Sequence, residues 1–355
     1  MKKKLILLLI PAIFYGESLV EILDFANSNN SLIISKEIAQ KSKQKEIESS
    51  INLDMPTVDV GGFYQNLYKK TPNMAGDNYS AYAKISYDIY DGGKKLSITK
   101  QKQNELKSTI SDTLALRKSL SLGIIEDFFS IKSMDSSILA LEEEKKSLKA
   151  QLSRVKKFYE AKLSTKDNID KLQSAYDRNS YNIQSLKFQK LSILNSLELK
   201  AGRKICKLEE TKFKKLSNLK LEVDDNIKAL KSQEDALQNL ANSLDSIYLP
   251  QVKVEDTFSL YEYGRTDRFH PAGLDNQNKL MLSLNLRVFD GDMAKNSKEA
   301  ILLNKQALKN QIDYKVKEQK MLFNLSLSRI ETTKLKIKSS FSSLNSANSA
   351  YKTIN

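Results

Sequence analysis

Two kinds of hydrophobic period alternate along this chain. From Ser18 to about Ile51 the period is helical: Leu19, Ile22, Leu23 and Ala26 share one face. Ile34, Ile38 and Ala39 resume it after an Asn-rich break at Asn27, Asn29 and Asn30. Residues 56–68 (PTVDVGGFYQNLY) open at a proline and read as a strand, with Gly61-Gly62 marking a bulge or a close approach of another group. Turn formers follow at Pro72, Asn73, Gly76, Asp77 and Asn78. Residues 79–90 then alternate strictly. Tyr79, Ala81, Ala83, Ile85, Tyr87 and Ile89 fall on one side, and Ser80, Tyr82, Lys84, Ser86, Asp88 and Tyr90 on the other.

After Asp91-Gly92-Gly93 the period lengthens again. Leu106, Ile110, Leu114, Leu120, Ile124, Phe128, Ile131, Ile138, Leu148 and Leu152 recur at steps of three or four positions or at sums of such steps. The pattern breaks at Leu163-Ser164-Thr165 and restarts with Ile169, Leu172, Tyr176, Ile183, Leu186, Leu194 and Leu197. This predicts a long antiparallel helical hairpin with coiled-coil packing; seventy residues of helix reach roughly 100 Å. No proline lies between Pro72 and Pro250, or after Pro271, so nothing in those stretches forbids helices of that length. A Lys-rich connector over 201–222 leads to helical signal from about Val223 to Ile247.

The most specific feature is a repeat. ISYDIYDGG at 85–93 is matched by LNLRVFDGD at 284–292, and Met55-Pro56-Thr57-Val58 by Leu249-Pro250-Gln251-Val252. The unit helix, proline, strand, loop, strand, Asp-Gly, long helix occurs twice, over 18–200 and 223–355. In the second copy Leu280, Leu282, Leu284, Leu286 and Val288 share one strand face, against Met281, Ser283, Asn285 and Arg287. Val252, Val254, Phe258 and Leu260 form a similar stripe interrupted by Asp256, and the intervening 262–278 is polar and turn-rich. Such segments suit either a soluble half-buried sheet or a barrel strand facing lipid.

The N-terminus bears on that choice. Lys2, Lys3 and Lys4 precede an apolar stretch from Leu5 to Tyr15, too short to span a membrane, and residues 1–17 read as a secretory signal peptide. A secreted chain with a greasy strand face favours the lipid alternative. Four strands cannot close a barrel, and open edges are not tolerated in lipid, so copies must share one; two give eight strands and three give twelve. Tyr79, Tyr82, Tyr87 and Tyr90 then read as an interfacial aromatic girdle, or alternatively as packing within the sheet.

Composition excludes more than it suggests. The net charge is +14, but the lysines are scattered rather than clustered, which disfavours a nucleic-acid partner. One cysteine, Cys206, allows no disulfide framework or CxxC site, and one histidine, His270, allows no multi-histidine metal site. No P-loop, HExxH or GxSxG motif occurs, so neither catalytic nor cofactor-binding residues are assigned. Asp91-Gly92 and Asp290-Gly291 read as strand-to-helix turns with N-capping carboxylates.

Taken in order, the helix Ser18–Glu48, the strand openers Pro56 and Pro250, the paired Tyr90-Asp91-Gly92-Gly93 and Phe289-Asp290-Gly291-Asp292, and the tip Phe158–Thr165 followed by Ile169 and Leu172 resemble the TolC-like outer-membrane efflux protein family. The resemblance covers nearly all of the chain after the signal. It implies a mainly α homotrimer in which long antiparallel coiled-coil hairpins form a periplasmic tunnel and twelve strands an outer-membrane barrel. It also implies that a periplasmic adaptor (a membrane fusion protein) and an inner-membrane transporter dock to it, for drug efflux or type I secretion. By matching position, Ala161, Lys162, Leu163, Ser164 and Thr165 form an adaptor-contact tip. The family usually has glycine before the tip leucine, where this chain has Lys162. The two Asp-Gly turns lie 199 positions apart, which places a second tip near position 361, beyond Asn355. A truncated chain lacking the second return helix is therefore the expectation, and no gating residue is assigned. The competing expectation is a periplasmic coiled-coil adaptor or scaffold, which would carry one hairpin and Gly-rich lipoyl-like strands in place of two strand pairs.

Overall fold

A computed structural model describes residues 17–69, 75–211, 220–264 and 275–354. Residues 1–16 of the predicted signal segment 1–17, His270, and most of the polar loop in 262–278 lie outside the described residues, as do parts of the Pro72 loop and of the connector. The element order is α1 (Leu19–Asn29), α2 (Ser31–Asn52), β1 (Thr57–Asn66), β2 (Asp77–Tyr90), α3 (Lys94–Glu160), α4 (Lys166–Ala201), α5 (Asp225–Asp245), β3 (Gln251–Gly264), β4 (Asn276–Asn285) and α6 (Met293–Ile354). A single 3₁₀ turn, Ser246–Tyr248, links α5 to β3. Among the described residues no helix is long and apolar enough to cross a membrane.

The chain divides into two compact units that cut across the sequence halves. The first holds described residues 17–37 and 113–211. Its core is built from helical spacings: Leu19, Ile22 and Ala26 of α1, Ile124, Phe128 and Ile131 of α3, and Leu197 and Ala201 of α4, closed by Ile205. None is more than 4% exposed. Burying a large apolar side chain this fully stabilises by about 1.5–3 kcal/mol, and this cluster anchors the unit.

The ends of these helices explain where they stop. Ser18 and Glu21 form a reciprocal capping box at the start of α1. Asn30 ends α1 and starts α2: its Oδ1 accepts from Leu32 N at 2.9 Å, while its Nδ2 donates to Lys200 O at 2.8 Å. The Asn-rich break is therefore a helix junction pinned to the end of α4. That end is a left-handed Gly202 (φ 77°), whose N–H donates to Glu198 O. The stretch 203–209 is tied back to α1 and the residue ahead of its cap: Glu17 N donates to Lys207 O, and Arg203 pairs with the Glu17 carboxylate at 2.9 Å while stacking over Phe25.

The second unit holds described residues 38–112 and 220–354. It contains one antiparallel sheet in the order β1-β2-β3-β4, together with α5 packed on α6. The β1–β2 register runs unbroken from Thr57↔Ser86 to Asn66↔Asp77, so Gly61-Gly62 is not a bulge. Gly61 is instead a close approach: a Cβ there would lie 2.6 Å from the Tyr82 hydroxyl, and the ring needs the space a glycine leaves. The bulge falls between Asp88 and Tyr90, against β3.

Candidate membrane-facing sheet, turns and hairpin tip

Residues paired across an antiparallel sheet point to the same side. The registers therefore assemble the four strands' patterns into two faces. One carries Val58, Val60 and Tyr64 of β1, Tyr79, Ala83, Ile85 and Tyr87 of β2, Val252, Val254, Phe258 and Leu260 of β3, and Leu280, Leu282 and Leu284 of β4. The stripes read separately from β2, β3 and β4 thus join with one side of β1 into one apolar surface. It is not a core: Val60 is 83% exposed, Leu280 75%, and Leu282 and Leu284 69% each. Leu286 and Val288 are corrected, because β4 ends at Asn285 and both lie beyond the strand. Asp256, between Ile85 and Leu280, is a charged side chain in the middle of this surface, and Glu262, opposite Tyr79, lies at its border.

The opposite face carries Thr57, Asp59, Lys84, Ser86, Asp88, Lys253, Glu255, Thr257, Lys279 and Ser283. Lys253 pairs with Glu255 at 2.8 Å, Lys84 with Glu255 at 3.8 Å, and Asp88 with Lys95 of α3 at 3.3 Å. Reading along the chain does not single out Asp59, Lys253, Glu255 or Lys279. They stand out only once the register brings acids and bases of different strands together.

The four tyrosines divide. Tyr79 and Tyr87 are on the apolar face, Tyr79 stacked on Tyr64 with centroids 4.9 Å apart. Tyr82 lies on the polar face over Gly61 and is corrected out of any girdle. The bulge takes up one extra residue, Ile89, and so brings Tyr90 opposite Val252 on the apolar face. Tyrosines thus border the apolar band towards both strand ends, with about 26 Å of strand between Tyr79 and Tyr87.

Both Asp-Gly pairs sit at strand-to-helix turns. Asp91 accepts from Gly93 N at 2.9 Å and Lys95 N at 2.7 Å, satisfying donors at the start of α3. Asp290 accepts from Ala294 N at 3.1 Å and from the Tyr248 hydroxyl at 2.7 Å. The Tyr248 hydrogen bond, aided by the backbone donors, holds the Asp290 carboxyl below its ordinary value. The backbones agree as well: Gly92 and Gly93 have φ of 72° and 79°, and Gly291 and Asp292 have 71° and 63°. A side chain at Gly92 would also meet Ser246 and Leu249 within 3.0 Å.

The tip Ala161–Thr165 joins α3 to α4. Leu163 N donates to Phe158 O at 2.7 Å and Lys162 N to Tyr159 O at 2.9 Å, the paired bonds of a Schellman motif. That motif needs a left-handed residue, and Lys162 supplies it at φ 61°. Lys162 therefore occupies a glycine conformation with a Cβ attached, at a cost of about 1 kcal/mol. Leu163 is 76% exposed at the apex. Ser164 and Thr165 lead into α4, Thr165 as its N-cap residue without a side-chain cap bond.

No family model matches the sequence, and no curated protein matches it. Solved structures do. A membrane protein from Pseudomonas aeruginosa superposes with a TM-score of 0.74 at 13% identity, over 84% of this chain and 74% of that one. The outer membrane protein VceC of Vibrio cholerae gives 0.72 at 12%, over 84% and 75%. CusC, described as forming a transmembrane channel, gives 0.71 at 12%, over 86% and 76%. The long helical hairpin and four-stranded sheet thus define the fold of the TolC-like outer-membrane channels, and this chain has that fold.

Proposed function

We propose that this chain is one subunit of an outer-membrane efflux channel: a homotrimeric, passive duct for drugs or exported protein, with no catalytic step of its own. Its strands would form the membrane barrel and its helices a periplasmic tunnel. A periplasmic adaptor would dock at the tip Ala161–Thr165, beneath an inner-membrane transporter. The two Asp-Gly turns, alike in backbone and capping, support an internal duplication.

The observation that carries this reading is the continuous exposed apolar face of the sheet. In water it would cost about 25 cal/mol for each Å² of apolar surface left uncovered. Lipid removes that cost, but only for a sheet without edges, and β1 and β4 are both edges here. The slope of the apolar band gives independent support. Its midpoint lies at Gly61 on β1, opposite Tyr82, and at Leu282 on β4, in the row of Val254 and Tyr87. A band level in the bilayer that drifts about five residues over three strand steps requires strands tilted by roughly 45–50°, near the 35–45° of membrane barrels. A flat soluble sheet has no reason for such a drift.

The test is fractionation of the expressed full chain. Recovery in the outer membrane as an SDS-resistant, heat-dissociable trimer is the expected result. A detergent-free monomer in the periplasmic fraction would overturn the proposal and favour the adaptor or scaffold reading.

A further inference from the structure

The sheet's two edges carry information about how copies meet, and this inference rests on the shared-barrel reading above. Along the sheet β1 and β3 run one way and β2 and β4 the other, so β4 of one copy meets β1 of the next antiparallel. Three constraints then fix their register. The first is facing. Apolar-face residues are even-numbered on both edges, Val58, Val60, Gly62 and Tyr64 on β1 and Leu280, Leu282 and Leu284 on β4, so only registers two residues apart are allowed. The second is level. Continuing the drift of the apolar band by one more step places the midpoint of the next β1, Gly61, beside Ser283.

The third is side-chain chemistry. We infer that copies of this chain join with Leu284 opposite the partner's Val60, so that β4 and β1 form one seam of fixed register. Leu282 then covers the partner's Gly62, an edge position with no side chain of its own, and Leu280 meets the partner's Tyr64 at the band's border. On the polar face Met281 meets the partner's Phe63, and Asn285 meets the partner's Asp59 as amide donor to carboxylate. A slip of two residues one way sets Lys279 against the partner's Phe63 and Asn278 against the partner's Tyr64. A slip the other way sets Ser283 against the partner's Phe63 and Leu280 against the partner's Asn66. The first slip keeps Leu284 and Leu282 against the partner's Val58 and the partner's Val60 but sets a lysine and an amide against aromatic rings; the second leaves Leu280 against an amide. Barrel geometry removes one of the slips: for twelve strands the inferred register tilts the strands by about 45° and the Lys279 slip by roughly 35°, both within the range of membrane barrels, whereas the Ser283 slip needs roughly 55°.

Cysteine pairs read the register directly. In the full chain with the exposed Cys206 replaced (Cys206→Ser), Asn285→Cys is combined with Asp59→Cys for the inferred seam and with Thr57→Cys for one slip. Met281→Cys with Gln65→Cys reports the other slip. Within one chain β1 and β4 are separated by two strands, about 14 Å, so no intrachain disulfide can form. Membranes are oxidised with copper phenanthroline and run on non-reducing gels.

The expected result is a covalent dimer and trimer ladder at least tenfold stronger for Asp59→Cys/Asn285→Cys than for either slipped pair. The lipid-side pair Val60→Cys/Leu284→Cys reports the same register if a polar-face variant fails to assemble. A ladder from a slipped pair, or trimers that none of these pairs links, overturns the register while leaving the shared barrel standing. Failure of the unsubstituted chain to form trimers overturns the barrel reading itself.

Discussion

The chain places its apolar residues in two opposite ways. In the α1, α3 and α4 cluster, Ile22, Phe128 and Leu197 are turned inward and lost to solvent. On the sheet, Val60, Leu280, Leu282 and Leu284 are turned outward and almost bare. The residues are equally hydrophobic, so hydrophobicity alone does not say what covers them. The helical cluster is covered by its own chain and reports folding. The sheet face is covered by nothing among the described residues, so folding of these residues does not account for it.

Substitutions can separate the two regions, taken here from the largest expected effect. Phe128→Ala removes the largest side chain of the helical core and should cost about 3–5 kcal/mol, measured by denaturant unfolding; a cost below 1 kcal/mol would mean that this cluster is not a packed core. Leu282→Arg leaves a water-facing strand essentially unchanged but costs a lipid-facing one about 2–4 kcal/mol near mid-bilayer. The measurement is the yield of outer-membrane trimer, and wild-type yield from the Arg variant would make the sheet face an aqueous one.

Asp91→Ala strips α3 of the acceptor for Gly93 N and Lys95 N, with an expected loss of about 1–2 kcal/mol, whereas Asp91→Asn should recover most of it. Lys162→Gly should act in the opposite sense, stabilising by about 1 kcal/mol, because the left-handed tip conformation no longer strains a Cβ. No gain on unfolding would show that the lysine side chain returns an equal contribution.

The smallest effect concerns acid. The Asp290 carboxyl is held below its ordinary 3.8, chiefly by the Tyr248 hydroxyl. A depressed carboxylate stabilises above its unfolded value and loses that contribution as pH falls through the folded one. The stability difference between the wild type and Asp290→Asn should therefore hold at neutral pH and shrink below about pH 4. A difference that grows on acidification would contradict the assignment.

The comparison also separates what was legible along the chain from what was not. Helix spacing, strict alternation and the Asp-Gly turns are local, because 3.6- and 2-residue periods and left-handed turn residues are properties of neighbouring positions. The positions of α3, α4, β2 and α5 followed from them to within a few residues. The end of β4 did not: Leu286 and Val288 continue the alternation, but a strand ends where its partner does, and β3 begins at Gln251 opposite Asn285. Nor did the fate of Tyr82 and Tyr90. Tyr82 went to the polar face over Gly61, while a single bulge against β3 carried Tyr90 across to the apolar one.

By itself, then, the order of residues determined the elements, their repeated arrangement and the greasy sides of β2, β3 and β4, since each of these depends on contacts a few positions apart. Only the tertiary structure decided that the four greasy sides form one surface. It alone set Lys84, Lys253 and Glu255 together on the other side and sloped the band from β1 to β4. Those facts depend on register between strands up to about two hundred residues apart. Pairing energy summed over a whole sheet settles such a register, and no local period encodes it.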